Sequence, residues 1–419
     1  MFNKPGGIKM INYCVRTITA FIDDNSVDTI PQFVEASKAF EERGISVRTR
    51  RVSFKQKNWK ESSIEQTSAS LTSMGIWGFS ATFDDPKDPA QITSAWSIIE
   101  NSDDGFVNFL LKNNGNGLDT NTISPLVDFI MKVSKRKNGI DNFRVGVSFG
   151  VDRPTPFFPY SAFAENNTFA VGLEYINVIL QVIEENNRSS LTTIKNKIIE
   201  KMEVICKEIC AVCEDIEKQT SMKFIGIDLS LAPYPYPLEE QSVIEIIEEL
   251  GQIGRSRGET GFKFGDNGSL FIHTFLTNII KSLEINPELL TTGFNGVMYS
   301  VLEDTRLSQR YASGNFNISD LLLTATTCGC GIDMLPLVSR GAKKAIGSMI
   351  MDIFALSSTL DKPLGCRVLP IQNSRPGDWT NFKHLFFTNT IVQDHGIGIS
   401  IHQLPAQKDD PDVYFERRG

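Results

Sequence analysis

Histidine is scarce in this chain: 419 residues hold only His273, His384, His395 and His402. A histidine-rich metal site is therefore not expected. No run of 18 uninterrupted apolar residues occurs, which argues against a membrane-spanning helix. Lys and Arg are scattered, as in "KVSKRKNG" and "RTRRVSFK", and the net charge is −8. That balance argues against nucleic acid as the main partner, because phosphate backbones need a concentrated basic surface. The opening residues, "MFNKPGGIKMINYC", lack a signal-type apolar core. The seven cysteines are odd in number and lack the spacing of a disulfide scaffold. A cytoplasmic protein with reduced thiols is the expectation. What is present is ordinary for a globular protein with a real core, with 41% hydrophobic and 22% charged residues.

Short apolar runs rich in β-branched residues alternate with segments of helical period. The strand candidates are "NYCVRTITAFI", "ISVRTRRVSF", "MGIWGFSATF", "FRVGVSFGV", "KFIGIDLSLA", "GFNGVMYSVL", "GIDMLPL" and "GCRVLPIQ". Helices are expected over 30–43, 89–112, 124–133, 169–186, 190–219, 239–250, 269–283, 319–326 and 341–360. This alternation implies an α/β fold with a mostly parallel sheet and helices outside it. No repeat or low-complexity linker divides the chain, so one large domain over 1–403 is expected, followed by a loose charged tail over 404–419.

Cys206, Cys210 and Cys213, in "CKEICAVC", have a C-x3-C-x2-C spacing that resembles the cluster-binding motif of radical S-adenosylmethionine enzymes. Apolar residues recur every three or four positions from Leu191 to Ile216, which marks a long amphipathic helix. The three thiols fall on one side of it, strung along roughly 10 Å of axis. Thiolates of one compact cluster come more naturally from a loop. These cysteines are read as small apolar residues on a helix face.

Five stretches together resemble the family called domain of unknown function 711: Val15-Arg16-Thr17-Ile18-Thr19; "PTPFFPYSAF" with Phe169 and "VGLEY" behind it; Gly226 to Pro233, "GIDLSLAP"; Phe294 to Asp304, ending "SVLED"; and "KPLGCRVLPIQNSRPGDW". They span most of the chain in family order. The resemblance implies a large barrel of about ten strands in two parallel half-sheets, like that of the pyruvate formate-lyase superfamily. It carries no established reaction. Distant relatives use a cysteine-bearing loop inside the barrel and a glycyl radical near the C-terminus. Cys328 and Cys330 supply a comparable loop, whereas "QDHGIGISIHQL" does not resemble the glycyl-radical signature.

In "TATTCGCGIDMLPL", Gly329 and Gly331 fall where a helix must turn into a strand. The thiols of Cys328 and Cys330 either fill small gaps there or act as a nucleophile or redox pair. Two cysteines alone make a poor zinc site, and no metal is expected. Acids are expected at strand ends, where α/β folds gather their sites: Asp228, Asp333, and Glu303 with Asp304. Asp228 and Asp333 either cap helices, pair with Arg16 and Arg367, or serve as metal ligands or acid/base groups. Glu303, Asp304 and Arg306 read as a solvated strand end. Phe157, Phe158 and Tyr160 of the proline-rich loop wall a pocket or pack on a neighbouring subunit. "FKFGDNGSLF" is a weak anion motif better read as a helix cap. The expectation is a pocket with Cys328, Cys330, Asp333 and Asp228 as catalytic candidates. Arg16, Arg367, Phe157, Phe158 and Glu303 would bind a small polar or anionic molecule. No cofactor follows from the sequence. The alternative is a non-catalytic ligand-binding or oligomeric assembly protein, and a homo-oligomer is expected for either.

Overall fold

The computed structural model describes residues 13–55, 59, 61–111, 118–162, 165–235, 240–253, 261–327 and 330–399. Its first half runs β1 (Cys14–Ile22), α1 (Ile30–Ala36), α2 (Ala39–Glu42), β2 (Arg50–Phe54), α3 (Glu61–Ser73), β3 (Gly78–Phe83), α4 (Pro89–Asn101), β4 (Gly105–Leu111), α5 (Ile123–Val133) and β5 (Val145–Phe149). The second half runs β6 (Thr168–Glu174), α6 (Ile176–Glu185), α7 (Leu191–Gln219), β7 (Lys223–Asp228), α8 (Val243–Gln252), α9 (Ser269–Glu284), α10 (Thr305–Ala312), α11 (Ile318–Thr327), β8 (Gly331–Val338), α12 (Lys343–Leu360) and β9 (Leu364–Ile371). The nine strands form one sheet in the order β7-β6-β1-β2-β3-β4-β5-β9-β8. Neighbours are parallel except β1 with β6 and β5 with β9. A mixed α/β architecture with a mostly parallel sheet is thus what the chain adopts.

Two segments with the hydrophobicity of single helices are split. Residues 89–112 give α4 and then β4, and residues 169–186 give β6 and then α6. "TFAVGLE" is buried at every position and "GFVNFLL" at all but one, so neither shows the alternation that separates a strand from a helix. Residues 30–43 break at Ser37 and Lys38 into α1 and α2, while α3 and α10 fall in segments without an expected helix. The expected strand "GFNGVMYSVL" is irregular. Residues 291–300, which include most of it, make isolated parallel bridges on both sides: Thr291 to Ile227, Val297 to Leu231, and Ser300 to Asp333. The same stretch therefore touches β7 and β8, the two edge strands of the sheet.

On α7, Ile194, Ile198, Met202, Ile205, Ile209, Val212 and Ile216 are buried together with Cys206 and Cys213, while Cys210 is half-buried. Burial pushes the Cys206 thiol up to about 12 and raises Cys210 and Cys213 as well. These are protonated thiols in a helix face, packed as small apolar groups. Residues 404–419, read as a tail, lie outside the described residues.

His273 of α9 is fully buried, and its Nδ1 lies 2.7 Å from the Tyr299 hydroxyl, which ties α9 to the irregular segment. Burial, followed by the nearby Lys362 charge, pushes the imidazole down to about 4. An unfolded chain holds this proton up to about pH 6.5, so between those values the unfolded state binds more protons. Stability is accordingly complete above about pH 6.5 and falls as the pH drops toward 4, by up to about 3 kcal/mol from this group. The variant His273→Gln should flatten that part of a stability–pH profile measured by urea unfolding. An unchanged slope would remove His273 as its source.

Candidate active site

Strands from both halves of the sheet contribute to one internal cavity of about 50 Å³. Three arginines line it, one each from β1, β2 and β9: Arg16, Arg51 and Arg367. Two carboxylates face them, Asp333 of β8 and Glu303 from the turn before α10. Trp77, Phe106, Phe143, Phe157, Phe158, Tyr160 and Phe386 supply aromatic walls, with Cys330 and Ser300 beside them.

The charges are buried and must be matched, because taking an ion from water costs several kcal/mol unless a partner replaces the hydration. Arg367 donates two parallel hydrogen bonds to Asp333, Nε to Oδ1 at 2.6 Å and Nη2 to Oδ2 at 2.8 Å. The same Nη2 reaches Glu303 at 3.0 Å, and Nη1 reaches the carbonyl of Phe143 at 3.2 Å. Burial works against the Arg367 charge, but Asp333 and Glu303 more than offset it, so the guanidinium is held firmly protonated. Burial pushes the Asp333 carboxyl above the ordinary range while the Arg367 fork opposes it. Tyr160 completes this group, its hydroxyl donating to Asp333 at 3.1 Å with its proton held on by burial. Arg16 donates to Glu174 at 2.7 Å and lies 4.0 Å from Glu303. Glu174, fully buried at the end of β6, also accepts from Arg48 at 2.5 Å.

Arg51 differs from both. Its Nε donates to Thr49 at 2.9 Å, and its guanidinium carbon lies 4.7 Å from the Trp77 ring centre and 4.9 Å from that of Phe158. Among the described residues it pairs with no carboxylate. Burial, with the nearby Arg16 charge second, pushes Arg51 down to about 9. That still leaves it charged at neutral pH and favours any anion that enters.

Backbone irregularities aim these side chains. The β1–β6 register shifts between Val15 and Thr17, around Arg16, and the β8–β9 register shifts between Ile332 and Leu335, around Asp333. Met334, next to Asp333, has a φ of 51°, a left-handed conformation uncommon for a side-chain-bearing residue. A bulge re-aims a side chain while the flanking pairs hold the strand, and such features concentrate beside functional sites.

Cys330 is buried and faces the cavity, and burial followed by the Asp333 charge keeps its thiol well above the ordinary range. The adjoining Gly331 turns α11 toward β8 with a φ of 91°. A Cβ there would come within 2.2 Å of the Gly365 carbonyl, so β8 and β9 approach closely only because the residue is glycine. Cys328 and Gly329 lie outside the described residues. Phe157 and Phe158 sit on the cavity wall and are buried.

Asp228 is not among the residues lining the cavity. Its carboxylate accepts from Thr155 Oγ1 at 2.8 Å, Ser230 Oγ at 2.6 Å, and the N–H groups of Ser230, Phe294 and Asn295. It is fully buried, and burial raises its pKa against those hydrogen bonds. Asp228 thus fastens the aromatic loop and the irregular segment to the end of β7. Gly293, with φ at 76°, permits this wrap, since a Cβ would fall 2.0 Å from the Asp228 oxygen. The expected solvated strand end is also different in place. Asp304 is buried as the N-cap of α10, accepting from Leu307 N at 3.0 Å, and Arg306 pairs with Glu245 at 2.6 Å.

Arg48, Arg51 and Glu174 are the charged members of this network that sequence reasoning passes over. "RTRRVSF" offered three arginines with no sign of which would face inward, and Glu174 sat in a segment of helical hydrophobicity. The strand alternation from Thr49 through Arg51 to Ser53 was the available signal.

Single substitutions that break the buried pair, Asp333→Asn or Arg367→Met, should each cost about 3–5 kcal/mol in urea unfolding. Losses under about 1 kcal/mol would show that the pair is not desolvated. Asp228→Ala should destabilise by more than about 1–3 kcal/mol, because several buried donors lose one acceptor together.

The family described as "Uncharacterised ACR (DUF711)" matches residues 8–383. Curated relatives named "UPF0210 protein" include one from Pyrobaculum arsenaticum, 28% identical over 43% of this chain and 38% of its own length. One from Sulfurisphaera tokodaii is 27% identical over 68% of this chain and 61% of its own. One from Lactiplantibacillus plantarum is 24% identical over 59% and 51% respectively. In each case the match spans less than two thirds of the relative's length. With nearly the whole described chain matched, this protein belongs to the DUF711 (UPF0210) family.

Proposed function

We propose that the internal cavity binds a small anionic molecule through Arg51, and that the protein is an enzyme acting on that molecule by polar, acid–base chemistry. The carrying observation is Arg51 itself: a buried guanidinium lining a cavity, without a carboxylate partner among the described residues. Three guanidiniums face two carboxylates there, so the wall carries an excess of positive charge that an anion of the ligand would balance. A volume of about 50 Å³ admits only a few water-sized groups, which fits a short carboxylic acid better than a nucleotide. In this reading the Arg51 fork takes the carboxylate while Trp77 and Phe158 hold the fork flat.

Glu303 is the group best situated to move a proton. Its side chain is 17% exposed, and it is bound by Ser300 Oγ at 2.6 Å and Arg367 at 3.0 Å. Asp333, doubly held by Arg367, orients that arginine. Cys330 contributes a neutral thiol at the wall, since burial keeps its proton on. The non-catalytic alternative draws support from the same pairing, because Asp333 and Glu303 are already engaged by Arg367. A ligand recovered unchanged after long incubation would favour it.

The bridges from residues 291–300 to β7 and β8 support a further reading, that this segment closes the sheet into a ten-stranded barrel with two parallel halves. The six described cysteines are all unpaired, in keeping with the reducing cytoplasm expected from composition. No described helix is long and apolar enough to cross a membrane.

Calorimetric titration with formate, acetate, pyruvate and inorganic phosphate tests the site. At least one carboxylate should bind saturably, and Arg51→Met should weaken it at least about tenfold. The same substitution should leave stability unchanged or raise it by about 1–4 kcal/mol, because it removes a buried charge without a protein partner. Binding that survives Arg51→Met would overturn the assignment.

A further inference from the structure

A second concave site lies on the surface, far larger than the internal cavity at about 610 Å³. It runs between the end of α5 and the start of α12, walled by the loops that follow β8 and β9. Five cations line it, Lys132, Lys135, Arg340, Lys343 and Arg375, against a single carboxylate, Asp128. Two of them are engaged. Lys343 pairs with Asp128 at 2.5 Å, and Lys132 lies 3.5 Å from the Trp96 ring centre. Lys135, Arg340 and Arg375 have no ion-pair partner among the described residues.

Two further features point at the same space. α12 begins here, and its N-cap, Ala342, brings no side chain to the first-turn N–H groups. Ser339, only 8% exposed, lines the groove, and its Oγ takes part in no hydrogen bond among the described residues. That hydroxyl opens into the groove and can donate to an incoming acceptor. Helix N–H groups, guanidinium forks and a hydroxyl around one concavity make a donor set for tetrahedral oxyanions.

We propose that this groove binds a small molecule bearing more than one phosphate group, held by Lys135, Arg340, Arg375, Ser339 Oγ and the start of α12. The volume exceeds what a single phosphate fills, and three uncompensated cations match the charge of a di- or triphosphate. A long polyanion fits less well, because the chain as a whole carries −8 and would repel strands extending past the groove.

The test is calorimetric titration of the full chain with inorganic tripolyphosphate at about 0.1 M salt. Saturable binding of one tripolyphosphate per chain is expected. The double variant Arg340→Gln/Arg375→Gln should weaken it at least about tenfold, and Ser339→Ala by several-fold. Both altered arginines are exposed, so an unchanged melting temperature verifies that the double variant folds. Arg51→Met should leave this binding intact, which separates the groove from the internal cavity. No saturable binding, or equal binding by the double variant, overturns the proposal. So does tighter binding of a single-stranded oligonucleotide matched in phosphate number, which would assign the groove to nucleic acid.

Discussion

Guanidinium groups cannot shed their protons under ordinary conditions, so the three arginines that line the cavity impose a charge that the fold must answer. Asp333 and Glu303 answer Arg367, and Glu174 answers Arg16 together with Arg48. These partners come from strands and turns distant in the chain. The pairing therefore requires β6, β8 and the segment before α10 to be correctly placed around β1 and β9. A misregistered strand would leave a buried charge alone, a penalty comparable to a sizeable part of a domain's net stability.

The rest of the interior follows from that demand. Register shifts at Arg16 and Asp333 turn those side chains toward the cavity while neighbouring positions keep their sheet partners. Asp228 spends its carboxylate on Thr155, Ser230 and the backbone of Phe294 and Asn295, and so fixes the loop that carries Phe157, Phe158 and Tyr160. Aromatic faces then cover the cations without neutralising them, as Trp77 and Phe158 do for Arg51. Arg51 is left as the point where the charge balance is incomplete, and an anionic ligand is its natural complement.

Much of the candidate site was legible in the residues. The strand positions of Arg16, Asp333 and Arg367, and the aromatic run "PTPFFPYSAF", each stood out against their surroundings as chemistry in an apolar setting. Asp228 had the same signature, yet its hydrogen bonds make it a fastening rather than a wall of the cavity. A carboxylate at a strand end looks identical in sequence whether its partners are backbone N–H groups or a pocket. Glu303 read as solvated because its partner, Arg367, is 64 positions away and the pairing is purely tertiary.

Sequence by itself determined the α/β class, most of the strand and helix positions, the role of the α7 cysteines as a helix face, and the family. Those features rest on local periodicity and on motifs contiguous in the chain. Tertiary structure alone decided which charges meet. It placed Arg51 beside Arg16 without a carboxylate of its own. It also gathered Lys135, Arg340 and Arg375, scattered along the sequence, into one groove. Charge pairing depends on distance in space and on dehydration, and neither is written in the spacing of residues along the chain.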